Sequence, residues 1–174
     1  MSIAQIFLTM ALLLASVAGA TAQQPALRTH NEFTFTVDAP FADTMPLFGA
    51  NDERKWAHDW NPSFLYPSPA RDEPGMVFTV QHGALTSTWV NTAFDLANGH
   101  VQYTYVLADA MATNIDIHAT REGANKTKVH VVYERTALTA EANDHVKHFA
   151  AQDSKAGDEW KAALNEYFEK SRKK

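Results

Sequence analysis

The 174-residue chain is 45% apolar and 20% charged, the balance of an ordinary globular protein of a size for a single core. A formal charge of −5 excludes a surface built to neutralise phosphates, so no nucleic-acid partner is expected. With no cysteine there can be no disulfide, no thiol nucleophile and no thiolate metal ligand.

Residues 1–22 contain no Asp, Glu, Lys or Arg. The run IFLTMALLLASVAGA, closing on the small-residue site Ala20-Thr21-Ala22, has the pattern of a secretory signal cut after Ala22. The apolar run is shorter than the ~20 residues of a membrane span, so no stable anchor is expected after cleavage. The expected organisation is a leader over 1–22 and one domain over 23–174, in a periplasmic or secreted location. The basic end, Lys170-Ser171-Arg172-Lys173-Lys174, reads as a solvated tail.

EFTFTV (32–37) alternates, with Phe33, Phe35 and Val37 on one face of a half-buried strand. Pro40 suits a first helical turn, and Asn51-Asp52-Glu53 is a helix start with two carboxylates in its first turn. Two short helices are therefore expected over 40–58. The stretch WAHDWNPSFLYP (56–67) follows, and a loop rich in proline and charge runs to Gly75. MVFTVQH (76–82) puts Met76, Phe78, Val80 and His82 on one face. LTSTWVNTAFDL (85–96) is rich in β-formers, and Asn98-Gly99 is a hairpin signal. VQYTYVL (101–107), NIDIHAT (114–120) and TKVHVVYER (127–135) alternate again, which implies an antiparallel meander. From Thr139 to Lys170 apolar residues recur at Val146, Phe149, Ala150, Ala156, Trp160, Leu164, Tyr167 and Phe168, one stripe of a long helix. Asp153 interrupts the stripe and Gly157 weakens the helix. That pattern fits a cavity wall, and it fits a loosely packed core helix equally well.

A strand, two short helices, an antiparallel run and a long C-terminal helix make an α+β chain in the order of the helix-grip fold. On WAHDW (56–60), the strand entry Gly75-Met76-Val77-Phe78, the strand centre Trp89-Val90 and YERTALTAEAN (133–143), the sequence resembles the START-like superfamily. That superfamily, also called SRPBCC, includes polyketide cyclases and aromatases, lipid-transfer domains and birch-pollen-type allergens. The resemblance implies a curved sheet gripping the last helix, with a cavity between them that ligands enter near the short helices and strand loops. It implies a shared fold and cavity rather than a shared reaction.

Parity and topology together predict a pocket lined by Trp60, Phe78, His82, Trp89, Tyr103 and Tyr133, with Trp56 and Phe64 near its mouth. So many inward aromatics with polar tips call for partners, which water or a ligand would supply. The alternative is that Trp56, Trp60 and Phe64 close the end of the core. His82, near Asp59 and His58, is the candidate acid–base group; its plainer reading is a core-edge histidine with a hydrogen-bond partner. No metal site and no cofactor are expected. His145 and His148 have no acidic ligand in their helix pattern, and His118 and His130 read as cross-strand neighbours on the outer face. No Ser-His-Asp order, nucleophile elbow or phosphate loop is present. Two functions fit best: a carrier of a hydrophobic or aromatic small molecule, or a cyclase-, dehydratase- or hydrolase-like enzyme using His82 and Asp59. A partner-binding protein with a filled core is a third, its protein partner unspecified.

Overall fold

A computed structural model of the chain describes residues 25–173. The leader and its cleavage after Ala22 lie outside the described residues. The strands are β1 (Arg28–Val37), β2 (Ser63–Tyr66), β3 (Val77–His82), β4 (Leu85–Asp95), β5 (His100–Leu107), β6 (Met111–Arg121) and β7 (Thr127–Ala137). They form one antiparallel sheet in the order β1-β7-β6-β5-β4-β3-β2. Between β1 and β2 lie one α-helical turn, α1 (Phe41–Thr44), and two 3₁₀ turns, Met45–Phe48 and Asp52–Lys55. The long helix α2 (Asn143–Arg172) crosses the sheet and packs on β1 and β7. This is the helix-grip fold expected from the element order.

Alternation did its work wherever one strand face is covered. Val101, Tyr103, Tyr105 and Leu107 of β5 are buried, as are Ile115 and Ile117 of β6 and Val129, Val131 and Tyr133 of β7. A bulge in β4 between Asn91 and Ala93 shifts its register, so Phe94 faces Val101 on β5. On α2, Leu164 is fully buried, and the Trp160 ring meets Phe33 and Phe35 of β1 edge-on at 5.8 and 6.4 Å. Gly157 has its reason one turn earlier: a Cβ there would stand 3.0 Å from the Phe33 ring. The helix lies that close to β1 because the position is empty.

Three boundaries differ from expectation. β1 starts at Arg28, four residues before the alternation becomes visible, because its first half is held by pairing to β7 from Arg28↔Thr136 onward. β2 lies inside WAHDWNPSFLYP, where a connection was expected; it is an edge strand with Phe64 opposite Phe78. The long helix starts at Asn143, and Thr139 instead closes the preceding turn, its hydroxyl accepting from the Ala142 N–H at 3.2 Å.

Candidate functional site

A cavity of about 450 Å³ lies between the concave face of the sheet, the 52–60 segment and α2. Its walls are Phe78 and Val80 of β3, Trp89 of β4, Tyr103 and Tyr105 of β5, Ile115 and Ile117 of β6, Tyr133 and Arg135 of β7, and Phe149 and Trp160 of α2. Glu53, Ala57, His58, Asp59 and Trp60 complete the lining. The aromatic wall is continuous. Trp89 stacks on Phe78 at 5.6 Å and on Tyr105 at 4.2 Å, and Trp60 meets Trp89 edge-on at 5.4 Å.

Of the residues singled out in the sequence, Trp60, Phe78, Trp89, Tyr103 and Tyr133 line this cavity. Trp56 does not. It is buried, its indole N–H donates to the Leu47 carbonyl at 2.7 Å, and it borders a separate cleft beside α2 with Ala57, His58 and Trp160. Phe64, on β2, packs against Phe78 at 5.8 Å, with the Arg54 guanidinium 4.8 Å over its ring. Asp59 and His58 are exposed on the cavity's edge, and His58 stands 4.0 Å from Glu166 of α2. Asp59 holds a left-handed backbone, φ 63°, which Asp tolerates better than most side chains. His82 ends β3 opposite Leu85, and its side chain lies outside the described residues.

The expectation that inward polar tips need water or a ligand is corrected by the protein's own hydrogen bonds. Tyr103 donates its hydroxyl to the Phe48 carbonyl at 2.9 Å, Trp60 its indole N–H to Ala50 at 2.8 Å, and Trp89 its N–H to Ser87 Oγ at 2.7 Å. The short helical turns thus supply carbonyls that finish the aromatic wall. Tyr133 is the exception: its hydroxyl has no hydrogen-bond partner among the described residues, while its ring is stacked by Arg135 at 4.6 Å. Burial, chiefly, raises the Tyr133 pKa, so it stays a neutral donor.

One polar cluster at the cavity is fully paired. Arg135 makes a two-pronged ion pair with Asp153, Nη2 to Oδ1 at 2.6 Å and Nε to Oδ2 at 3.1 Å. It also donates to the Tyr105 hydroxyl at 2.7 Å and to Thr113 at 3.3 Å, and Asn31 donates to Asp153 at 3.0 Å. Both charged side chains are buried, and this pair is the reason for the polar break in the apolar stripe of α2.

Glu53 is the opposite case, and sequence reasoning missed it. Asp52 turns outward to Lys55 at 2.7 Å, while Glu53 lines the cavity. Its carboxyl has no hydrogen-bond donor among the described residues. Burial first, and then the nearby Asp72 carboxylate, push its pKa up to about 8. Glu53 is half-buried and lines the cavity, where water is a poorer solvent for charge than in the bulk. Asp72 is drawn in because Gly49 has no side chain: a Cβ there would stand 2.5 Å from the Asp72 carboxyl. Asp72 accepts the Asn51 N–H at 2.9 Å, and burial raises its pKa as well. Asn91, fully buried in β4, has neither side-chain polar atom in a well-formed hydrogen bond among the described residues, although it lies near enough to Tyr103 to favour that hydroxyl's ionised form slightly.

Comparison with solved structures shows the fold. A point mutant of norcoclaurine synthase from Thalictrum flavum in complex with a transition-state analogue superposes with a TM-score of 0.64 at 10% identity, covering 86% of this chain and 99% of that one. The same enzyme in complex with dopamine and hydroxybenzaldehyde gives 0.60 at 11% identity, over 94% and 97% of the two chains. The Zhui aromatase/cyclase from Streptomyces sp. R1128 gives 0.55 at 17% identity, over 81% and 94%. These likenesses bear out, at the level of fold, the resemblance drawn from the sequence. No family model matches the sequence, and no curated protein matches it.

Proposed function

We propose that this protein binds a small hydrophobic or aromatic molecule in the cavity between the sheet and α2, and that the bound molecule carries at least one polar group facing Glu53 and Tyr133. The supporting observation is the contrast within the cavity wall. Its aromatic tips are satisfied by the protein, whereas the Glu53 carboxyl and the Tyr133 hydroxyl are left for a ligand. A carboxyl with a pKa of about 8 is mostly protonated at neutrality, so it can donate and accept in an apolar site without the cost of a buried charge. The neighbours of known fold support the same reading, since one of them holds two small aromatic molecules. Titration with an apolar aromatic compound should quench the fluorescence of Trp60, Trp89 and Trp160. Native mass spectrometry of the purified chain should show whether such a molecule comes with it. Saturating quenching that is unchanged in Glu53→Gln and Tyr133→Phe would rule out the two polar contacts.

Catalysis is the second reading, and Glu53 favours it. A carboxyl that titrates near neutrality beside a substrate-sized cavity can move a proton. In that reading Glu53 takes the acid–base role first sought in His82 and Asp59. A substrate turned over by the native chain but bound without turnover by Glu53→Gln would establish it.

We also propose that the chain is exported, with Ala22 the last residue of the leader. Intact mass of protein recovered from its host should place Gln23 at the N-terminus; membrane-bound protein that keeps Met1 would overturn this.

A further inference from the structure

The outer face of the sheet carries a second polar arrangement, unrelated to the cavity. One register row runs across four strands as Asp95↔His100↔His118↔His130. Asp116 precedes His118 by two residues on the same face of β6 and lies diagonally from His100, because Gln102 is its direct partner on β5. The ends of the row are already engaged. Asp95 accepts the Asn98 side-chain amide at 2.7 Å, and His130 stands 3.1 Å from Glu32 on β1. The centre is different. His100 Nε2 and His118 Nε2 both point at one oxygen, Asp116 Oδ1, from 2.8 and 3.3 Å. Their rings lie parallel within 2°, with centroids 4.4 Å apart.

We propose that His100, His118 and Asp116 form a surface site for a divalent transition-metal ion such as Zn²⁺. Two imidazole nitrogens and one carboxylate oxygen, all within 4.8 Å of one another, converge on one point. At the usual ~2.0–2.1 Å zinc–nitrogen distance, the two ring nitrogens need separate by only a few ångströms, as they already do on neighbouring strands. Imidazole and carboxylate together suit zinc, copper and nickel, and three protein ligands leave coordination positions for water. Each ring offers its Nε2 lone pair to the ion and keeps its proton on Nδ1, so the ion takes the place of the N–H groups that otherwise face Asp116. The antiparallel register fixes the spacing of β5 and β6, so little ordering remains to be done on binding. His118 and His130 alone lack this convergence; His100 and Asp116, placed by the pairing of β5 with β6, supply it.

The test uses the full chain without a histidine tag, stripped with a chelator and titrated with Zn²⁺ at neutral pH by calorimetry. One ion per chain is expected. His100→Ala and His118→Ala should each weaken binding at least about tenfold, since removal of even a residue that merely supports a ligand typically costs that much. His130→Ala should change it less than about twofold, since Glu32 holds that ring outside the site. All these positions lie on the sheet's outer face, and thermal unfolding of the metal-free variants should match the native chain. Copper(II) offers an independent view: its paramagnetism should broaden amide signals around residues 100, 116 and 118 first. The proposal is overturned by the absence of saturable binding, by a His130→Ala loss equal to that of His100→Ala, or by broadening centred on His145 and His148 of α2.

Discussion

Two carboxyl groups, the buried Asp153 and the half-buried Glu53, show what withdrawal from water does and does not mean. Asp153 interrupts an otherwise apolar helix face, yet Arg135 and Asn31 occupy its oxygens and it is 5% exposed. Glu53 sits in a four-residue 3₁₀ turn, no donor reaches it among the described residues, and its pKa is displaced to about 8. The first carboxylate is neutralised by its own protein and serves the fold. The second is neutralised by keeping its proton, which leaves it free to meet something that enters the cavity. What separates the two is above all their partners: Asp153 is paired by its own protein, and Glu53 has no donor among the described residues.

The largest effect expected on this contrast comes from breaking the paired group. Asp153→Ala should cost about 3–5 kcal/mol in urea unfolding, because it leaves the Arg135 guanidinium buried and uncompensated. Replacing both members, Arg135→Met with Asp153→Leu, should bring stability back to native or above, as apolar substitutes for buried pairs often do. A loss under about 1 kcal/mol for the single variant would mean that the pair is wetter than its geometry implies.

Glu53→Gln should do the reverse and stabilise the chain, by roughly 1–3 kcal/mol at pH 8. The sign follows from a folded pKa of about 8 against an ordinary 4.5. Below 4.5 both states hold the proton and the substitution changes little. Between 4.5 and 8 the unfolded chain releases the proton and the folded one keeps it, so native stability falls as pH rises; above 8 the penalty is complete. Unfolding midpoints of the native and variant chains, measured from pH 4 to 9, should therefore separate with rising pH. Parallel curves would show that Glu53 ionises normally and would remove the contrast with Asp153.

The smallest effect is expected at Tyr133→Phe. Its hydroxyl has no partner to lose among the described residues, so stability should change by less than about 0.5 kcal/mol, while affinity for a ligand that uses the hydroxyl should drop several-fold. Unchanged affinity would leave Glu53 as the sole polar contact.

Much of this molecule was legible as alternation and order. Strands with one covered face announced themselves: Phe33, Phe35 and Val37 on β1, Tyr103 and Tyr105 on β5, Val129 and Val131 on β7. Parity and the topology implied by the resemblance together named five cavity-lining aromatics, Trp60, Phe78, Trp89, Tyr103 and Tyr133. β2 could not be read, because an edge strand of four residues with Leu65 and Tyr66 exposed carries no covered face to impose a pattern. Glu53 was hidden for a related reason. A single 3₁₀ turn has no period, and a carboxylate at a helix start has an ordinary explanation in capping and the dipole. The anomaly at Asp153 was visible, but its resolution was not: Arg135 stands on β7, and only the packing of α2 on that strand brings the two together. Trp56 illustrates the limit of composition, since an aromatic two residues from the cavity's edge can still spend its indole on a neighbouring turn.

The pairing of β1 with β7 has a kinetic consequence. The first strand, Arg28–Val37, finds its one neighbour among the described strands at Thr127–Ala137, and the helix that covers it begins at Asn143. Nearly the whole chain must therefore exist before its beginning can dock, and the sheet closes through contacts of very large sequence separation. Such topologies fold slowly, in the range of milliseconds to seconds rather than microseconds. As the chain is synthesised, the leading segment stays open until the end arrives, and a chain cut short after β6 would leave both Arg28–Val37 and the free edge of Met111–Arg121 searching for a partner.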